Sequence, residues 1–414
     1  MGLPGRVSRW LVVLVLGLLL PGLVGCGDGG DTAGDAADQD GEAGPEGEPI
    51  RFLFIGGLTG SLSVNAEAAV DTTETAFAII NDEGGVLGRP LERATADSAL
   101  DPTQAVSALQ EAVASDRPDI VYAGTLSSEA LALLPVLTQE GILATCTCNA
   151  TPINDAEQWT TFIGGCSPSN QALGVPVAER VAELGYQRVA VLYGDDASAV
   201  DWFENGFVPA AEEAGVEIVA HEAVDSSSLD YTPAIERLRQ SDPDVFVARA
   251  FGEPAARVLQ ARERVGFDEV FMVADPTFSA VDLAQLTDLS EVENMEIVGF
   301  DVQQWRPHDE LSPARQELVD ALSAEGDITS MLSYVGQVWD LVFSAVAAID
   351  EAGTLEPDAV RAALFDLADE PNPRLTFQAT SGIDADNLVR RTSPEAYAVF
   401  PPGPMVDGMV KSEP

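Results

Sequence analysis

Four short stretches place polar or chargeable side chains where an apolar β-type run gives way to a helical one. Residues 120–124 run into Thr125-Leu126-Ser127-Ser128, and 142–145 run into Cys146-Thr147-Cys148-Asn149-Ala150-Thr151. Residues 245–248 run into Arg249-Ala250-Phe251-Gly252, and 270–274 into Asp275-Pro276. The first stretch offers hydroxyls and free backbone N–H groups at a helix start, which suits a carboxylate or plain helix capping. An acid that ends a buried strand, as Asp275 does, is costly unless it meets a cation, a salt-bridge partner or capping donors. Such groups can hold a charged small molecule.

Bond-breaking chemistry finds little support. The chain has two histidines, His221 and His308, far apart in sequence and both read as surface residues. There is no G-x-S-x-G, H-E-x-x-H or G-x-x-x-x-G-K-[ST] motif, and no base stands near a Cys or Ser as an amidase would need. Cys146-Thr147-Cys148 is too short for a paired zinc knuckle and lacks a nearby His, so no metal and no cofactor is expected. Asn149-Ala150-Thr151 matches a glycosylation sequon by chance. Residues 25–30 match G-x-G-x-x-G, but no strand precedes them and no helix follows.

The elements that must position these turns alternate along the chain. Strands are expected at 50–55, 91–96, 119–123, 142–145 and 161–165, with helices at 67–81, 103–114 and 128–140. A second series follows, with strands at 188–193, 216–220, 244–248, 270–274 and 296–300. Its helices are expected near 170–184, 202–214, 231–240, 254–265 and 280–287. The tail reads as helices near 313–324, 330–351 and 357–367 and β-prone pieces at 374–377 and 396–400. Such alternation predicts an α/β chain of parallel-rich sheets covered by helices, in two similar lobes. Ligands of such sheets bind beyond the carboxyl ends of the strands, where the four turns lie.

The N-terminus reads as an export signal. Arg6 and Arg9 precede an apolar stretch from Trp10 to Leu20, too short to span a bilayer comfortably, and then come Pro21 and Leu23-Val24-Gly25-Cys26. That tetrad resembles the lipobox of bacterial lipoproteins, which implies removal of residues 1–25 and acylation of Cys26. Residues 26–49 carry almost nothing apolar and read as a disordered acidic tether. The chain carries 21 basic and 68 acidic side chains, a formal net charge of −47. A surface so acidic disfavours nucleic acid and anionic lipid as partners. An exported chain permits a disulfide among Cys146, Cys148 and Cys166. Alternation puts Cys146 and Cys148 on one face, so spacing alone does not choose between them. Cys148 lies nearer the strand end, where the chain leaving Gly165 could meet it, so a Cys148–Cys166 bridge with Cys146 free is expected.

Several stretches resemble the periplasmic Leu/Ile/Val-binding protein family of ABC transporters. Asn81 to Arg89 is similar to the family's I-N-x-x-G-G-V-x-G-R turn, and Asp97 with Asp101-Pro102-Thr103-Gln104-Ala105 to its D-x-x-x-D-P-x-x-A segment. Tyr231 to Ile235, Pro243-Asp244-Val245, and Gln260-Ala261-Arg262 before Gly266 fit as well, and the likeness covers most of 50–400 in order. It implies two Rossmann-like lobes, the type I periplasmic binding fold, joined by three crossovers near Cys166, Phe300 and Phe377. The first lobe would take 50–166 and 301–377, and the second 167–300 and 378–414.

The family's carboxylate site falls on Ser127 or Ser128 and on Cys148, Asn149, Ala150 and Thr151. Its ammonium-binding acid falls on Asp275, and its covering aromatic on Phe251 or the neighbouring Ala250. Two departures tell against a purely aliphatic ligand. Asp195-Asp196-Ala197-Ser198 stands where many members have Tyr-Gly, and Asn65 replaces an aromatic near the first helix. The resemblance implies a non-enzymatic substrate-binding lipoprotein for an amino-acid-like small molecule, held outside the cytoplasmic membrane or in the periplasm. Its partners would be a permease and an ATPase. The alternative is a ligand-sensing subunit of a signalling system built on the same fold.

Overall fold

The computed structural model describes residues 45, 47–251, 253–278 and 292–412. The leader, Cys26, most of the tether and the helix expected at 280–287 lie outside them.

The first series contains β1 (Ile50–Gly56), α1 (Ser63–Asp82), β2 (Leu91–Asp97), α2 (Pro102–Ser115), β3 (Ile120–Ala123), α3 (Ser127–Glu140), β4 (Leu143–Cys146) and β5 (Phe162–Pro168). The second contains α4 (Asn170–Glu183), β6 (Arg188–Gly194), α5 (Ala197–Asp201), a π-helical turn Trp202–Phe207, α6 (Val208–Ala214) and β7 (Glu217–Val224). It continues through α7 (Thr232–Arg239), β8 (Val245–Arg249), α8 (Glu253–Arg264), β9 (Phe271–Ala274) and β10 (Met295–Phe300). The tail supplies α9 (Pro313–Glu325), α10 (Leu332–Ala352), α11 (Pro357–Asp366), β11 (Val389–Arg390), β12 (Tyr397–Phe400) and a hairpin of β13 (Met405–Val406) and β14 (Met409–Val410).

Two six-stranded sheets result, in the orders β11-β5-β4-β3-β1-β2 and β12-β10-β9-β8-β6-β7. All neighbours are parallel except β10 and β12. The central strands β3, β4, β5 and β8 are buried along their whole length, which is why they read in sequence as apolar runs rather than alternating ones. Residues Leu332 to Ala352 are long and apolar enough to cross a membrane, yet most of that helix is buried. Packed against α1 and α11, α10 is a core helix of the first lobe.

Three passages join the lobes. The chain leaves β5 for α4, and leaves β10 for α9 and α10, close to the expected Cys166 and Phe300. The third passage follows Arg390, not Phe377, because β11 pairs with β5 and keeps the chain in the first sheet until then. The β-prone piece at 374–377 forms no strand. Its backbone is held by side chains of α10: Asp340 accepts from Thr376 N (2.6 Å) and Phe377 N (3.1 Å), and Trp339 Nε1 donates to Arg374 O (3.0 Å).

The expected Cys148–Cys166 bridge is absent, and all three described thiols are free and buried. The reason is facial. Cys146 and Cys148 join the apolar cluster under α2 and α3, whereas Cys166 joins the cluster on the opposite face of the sheet. Cys148 Sγ lies 3.8 Å from the carbonyls of Ala123 and Gly124, while Cys166 faces Arg390.

Candidate ligand cleft

In each sheet the strand order reverses beside the first strand of its series, between β1 and β3 and between β6 and β8. Neighbouring strand-to-helix turns diverge there and leave a crevice. A cavity of about 380 Å³ opens on both crevices at once. The first lobe contributes Ser61, Leu62, Thr125, Leu126, Ser127, Thr147, Cys148 and Asn149, and the second contributes Asp195, Asp196, Ser198, Asp225, Arg249 and Phe251.

The β3–α3 turn shows how the local sequence builds one wall. Gly124 has φ +86°, and a Cβ there would lie 2.5 Å from the Glu129 Cβ, so only glycine lets the chain turn this tightly onto α3. Glu129, in the first turn of α3, accepts from Leu126 N (2.8 Å) and bonds the Ser98 hydroxyl. The helix start expected to hold an anion is thus partly satisfied by its own glutamate. Ser127 Oγ still lines the cavity and lies 3.4 Å from Asn149 N and Ala150 N. Thr125 also lines the cavity, and its Oγ1 accepts from Gly57 N (3.0 Å).

Glu129 is fully buried, and burial raises its carboxyl above the ordinary 4.5. A raised carboxyl favours the protonated folded state. Its contribution to stability is complete below about pH 4.5 and is lost as pH rises through the folded pKa. Glu129→Gln keeps an acceptor for Leu126 N–H and does not titrate. Thermal unfolding from acid to neutral pH should therefore show a smaller fall in stability over that window for Glu129→Gln than for wild type.

The residues singled out from sequence divide into two groups. Ser127, Cys148, Asn149, Ser198 and Phe251 line the cavity, as does Ala250. Ser128, Ala150, Thr151, Asn65 and Asp275 are not among the lining residues. Asn65 is buried and donates to Ser330 Oγ (3.2 Å) instead. Thr151 turns to Asp201 of the other lobe, which accepts from its N–H at 2.9 Å and its hydroxyl at 3.0 Å. Asp275 has no exposed surface. Its carboxylate accepts from Arg249 Nη1 (2.7 Å), Thr277 N (3.0 Å) and Thr277 Oγ1 (2.7 Å), so it is already committed and cannot receive a ligand cation as placed.

Arg249 therefore carries a positive charge to the cavity wall with Asp275 behind it. Its Nη2 donates to Ser198 Oγ (3.0 Å) and Asn170 Oδ1 (3.2 Å), and its guanidinium lies 5.4 Å from the Trp202 ring centre. Among the described residues, the acids that line the cavity are Asp195, Asp196 and Asp225. Burial, then Asp225 and Asp196 close by, raise the Asp195 carboxyl. Asp196 spends one oxygen capping α5 through Ser198 N and Ala199 N. Sequence reasoning missed the wall from α10, where Tyr334 and Gln337 reach the cavity, since the tail gives no sign that it returns to the cleft. Leu100 was missed as well; its left-handed backbone (φ +61°) is unusual for leucine and has no local sequence signature. Phe251 and Tyr334 face each other across the cleft with ring centres 6.0 Å apart.

Two parallel α/β lobes, three passages and a cavity at both switch points define a type I periplasmic binding protein. The chain belongs to the periplasmic binding protein family, whose model matches residues 49–385. It is 24% identical over 320 residues to the leucine-, isoleucine-, valine-, threonine- and alanine-binding protein of Pseudomonas aeruginosa, covering 77% of this chain and 82% of the relative. It is 21% identical over 281 residues to the Leu/Ile/Val-binding protein of Escherichia coli K12, covering 67% and 73%. Solved structures share the fold. A type 1 periplasmic binding protein from Bordetella pertussis superposes with a TM-score of 0.76 at 17% identity, covering 89% of this chain and all of that one. A solute-binding protein from Rhodopseudomonas palustris in complex with 4-hydroxybenzoate gives 0.75 at 17% identity, covering 88% and 96%. A branched-chain amino acid transporter substrate-binding protein from Streptococcus pneumoniae, in complex with isoleucine, gives 0.70 at 18% identity, covering 88% and 98%.

Proposed function

We propose that this protein is the extracytoplasmic substrate-binding lipoprotein of an ABC transporter, anchored through Cys26, and that it captures an amino-acid-like zwitterion. The observation that carries this reading is the cavity of about 380 Å³, walled by both lobes, each of which contributes polar side chains. On the first lobe, Thr125, Ser127 and Asn149 offer hydroxyl and amide donors near the start of α3 for a carboxylate. On the second lobe, Asp195 and Asp225 offer negative charge for an ammonium, the role that Asp275 cannot fill while paired with Arg249. A zwitterion leaving water must recover several kcal/mol per charge, and two such poles supply the partners. The lining supports binding without chemistry: no histidine is among the described lining residues, and burial pushes the Cys148 thiol well above its ordinary range, away from the nucleophilic thiolate.

A second reading has its own support. Arg249 is the one cation among the described lining residues, and Phe251 and Tyr334, in contact with each other, add aromatic surface to the same cavity. Both features suit an aromatic carboxylate, and the 4-hydroxybenzoate held by the Rhodopseudomonas palustris protein shows that this fold admits one. A thermal-shift screen against amino acids, their amides and aromatic carboxylates decides between the two. Ligand at 100 times its Kd should add about 2.7 kcal/mol of stability. Stabilisation by amino acids supports the first reading, by benzoates the second, and by neither overturns both. Intact mass of natively purified protein checks the anchor, and an unmodified N-terminus or a retained Met1 would refute it.

A further inference from the structure

Beside the cavity, one carboxylate that does not line it takes hydrogen bonds from both lobes. Asp201 closes α5 in the second lobe and is 7% exposed. Its Oδ2 accepts from Thr151 N (2.9 Å) and Thr151 Oγ1 (3.0 Å), both from the first-lobe turn after β4. The same oxygen accepts from Asn170 Nδ2 (2.8 Å) at the start of α4, and Oδ1 accepts from Asn205 Nδ2 (2.8 Å). A second bond crosses between the lobes one turn of α5 earlier, from Ser198 Oγ to Asn149 Oδ1 at 2.7 Å.

All these partners are neutral donors, so the carboxylate is held by charge-assisted hydrogen bonds without a counter-ion. Two of the donors belong to a single residue of the opposite lobe. Separating the lobes would strip both from a nearly buried carboxylate and exchange two charge-assisted bonds of fixed geometry for bonds to water. The turn so held, Cys148 to Thr151, supplies Cys148 and Asn149 to the cavity wall. Fixing it fixes the first-lobe wall relative to the second.

We propose that Asp201 is a positioning residue for ligand capture: its carboxylate latches the Thr151 turn of one lobe onto α5 of the other, favouring the closed arrangement before any ligand enters. A ligand then spends less of its interaction energy on closure, because apparent affinity scales with the population of the competent form. The latch acts on every ligand of the cavity alike, whichever chemical class that proves to be.

The test needs no ligand, so it stands apart from the choice of substrate. Spin labels at Glu67→Cys on α1 and Leu229→Cys beyond β7, both exposed sites on opposite lobes, report the opening of the ligand-free mature chain. Buried Cys146, Cys148 and Cys166 should stay unlabelled in the folded protein. Asp201→Ala is expected to lengthen and broaden the distance distribution by several ångströms, with a matching rise in the radius of gyration from solution scattering. Thr151→Val, which removes only the hydroxyl from the other lobe, should shift it the same way by less. Asn205→Ala loses an Asp201 partner from within the second lobe and should leave the distance at the wild-type value. Unchanged distances in Asp201→Ala with a lowered melting temperature would overturn the proposal and leave the carboxylate a merely structural role. If Asp201→Ala does not fold, Thr151→Val decides: a wild-type distance there also overturns it.

Discussion

Asp275→Ala is expected to destabilise the folded protein by about 3–5 kcal/mol, measured by urea unfolding, whatever it does to ligand affinity. The substitution would strand three donors in a site without exposed surface: Arg249 Nη1, Thr277 N and Thr277 Oγ1. Asp275→Asn should cost less. It retains an acceptor for Thr277, and the charge it removes is not itself strongly favoured there. Burial raises the Asp275 carboxyl, and this outweighs the opposing pull of Arg249 and Thr277. The sign follows: the folded state prefers the protonated acid, so this group's contribution is complete below its ordinary 3.8 and is lost as pH rises through the folded pKa. Asp275→Asn should flatten that part of the pH–stability curve. Asp275→Leu combined with Arg249→Met should recover only the share of the loss that an unpaired Arg249 would cause, because Thr277 N and Thr277 Oγ1 still lack their acceptor. A residue that anchored a ligand ammonium would behave in the opposite way, losing affinity at unchanged stability.

The partner of Asp275 was within reach of the sequence. Both residues end apolar runs of the same parallel series, and the register pairs Ala248 with Ala274, so Arg249 and Asp275 follow directly on neighbouring strands. Reading the two turns separately hid a contact that strand adjacency makes almost obligatory. The alternation of strands and helices was legible for a related reason: parallel strands covered on both faces carry few polar residues, so their boundaries stand out. Elements set by side chains were not legible. The segment 374–377 has strand-like composition, but Asp340 and Trp339 capture its backbone. The true edge strand, Val389–Arg390, is two residues long, too short for any periodicity to register. The disulfide expectation failed on facing, which a one-residue step in register reverses. At the cleft, Ser127, Cys148, Asn149, Ser198 and Phe251 lie on strand-to-helix turns and line the cavity, Ser128, Ala150, Thr151 and Asp275 lie on such turns and do not, and Tyr334 and Gln337 depend on where a distant helix packs.

Arg390→Met should cost about 3–5 kcal/mol as well, and Asp340→Ala more. Neither residue has more than 1% exposure, and Arg390 Nη2 lies 2.8 Å from Asp340 Oδ2. Arg390 also stacks its guanidinium 5.1 Å from the Phe377 ring centre and faces the Cys166 thiol, which burial pushes up to about 12. The two substitutions are unequal because Asp340 has two kinds of partner. Besides Arg390 it accepts from Thr376 N, Thr376 Oγ1 and Phe377 N, so its loss also frees the loop at 374–377. Arg390→Met leaves those three bonds in place and removes only the cation. Arg390→Lys should fail to restore stability, since a point charge on a flexible stem does not reproduce a planar group lying over Phe377. Arg390 is the last residue of β11, directly before the third passage between the lobes, so damage should be local first. Hydrogen exchange is expected to quicken at residues 389–400 in Arg390→Met while β1 and β3 keep their protection. In Asp340→Ala it should quicken at 374–377 as well. A double-mutant cycle on the two positions should return a coupling within the 0.5–3 kcal/mol range of residues in contact. Additive losses would mean that the pair contributes packing alone and that the third passage is held by β11 pairing with β5.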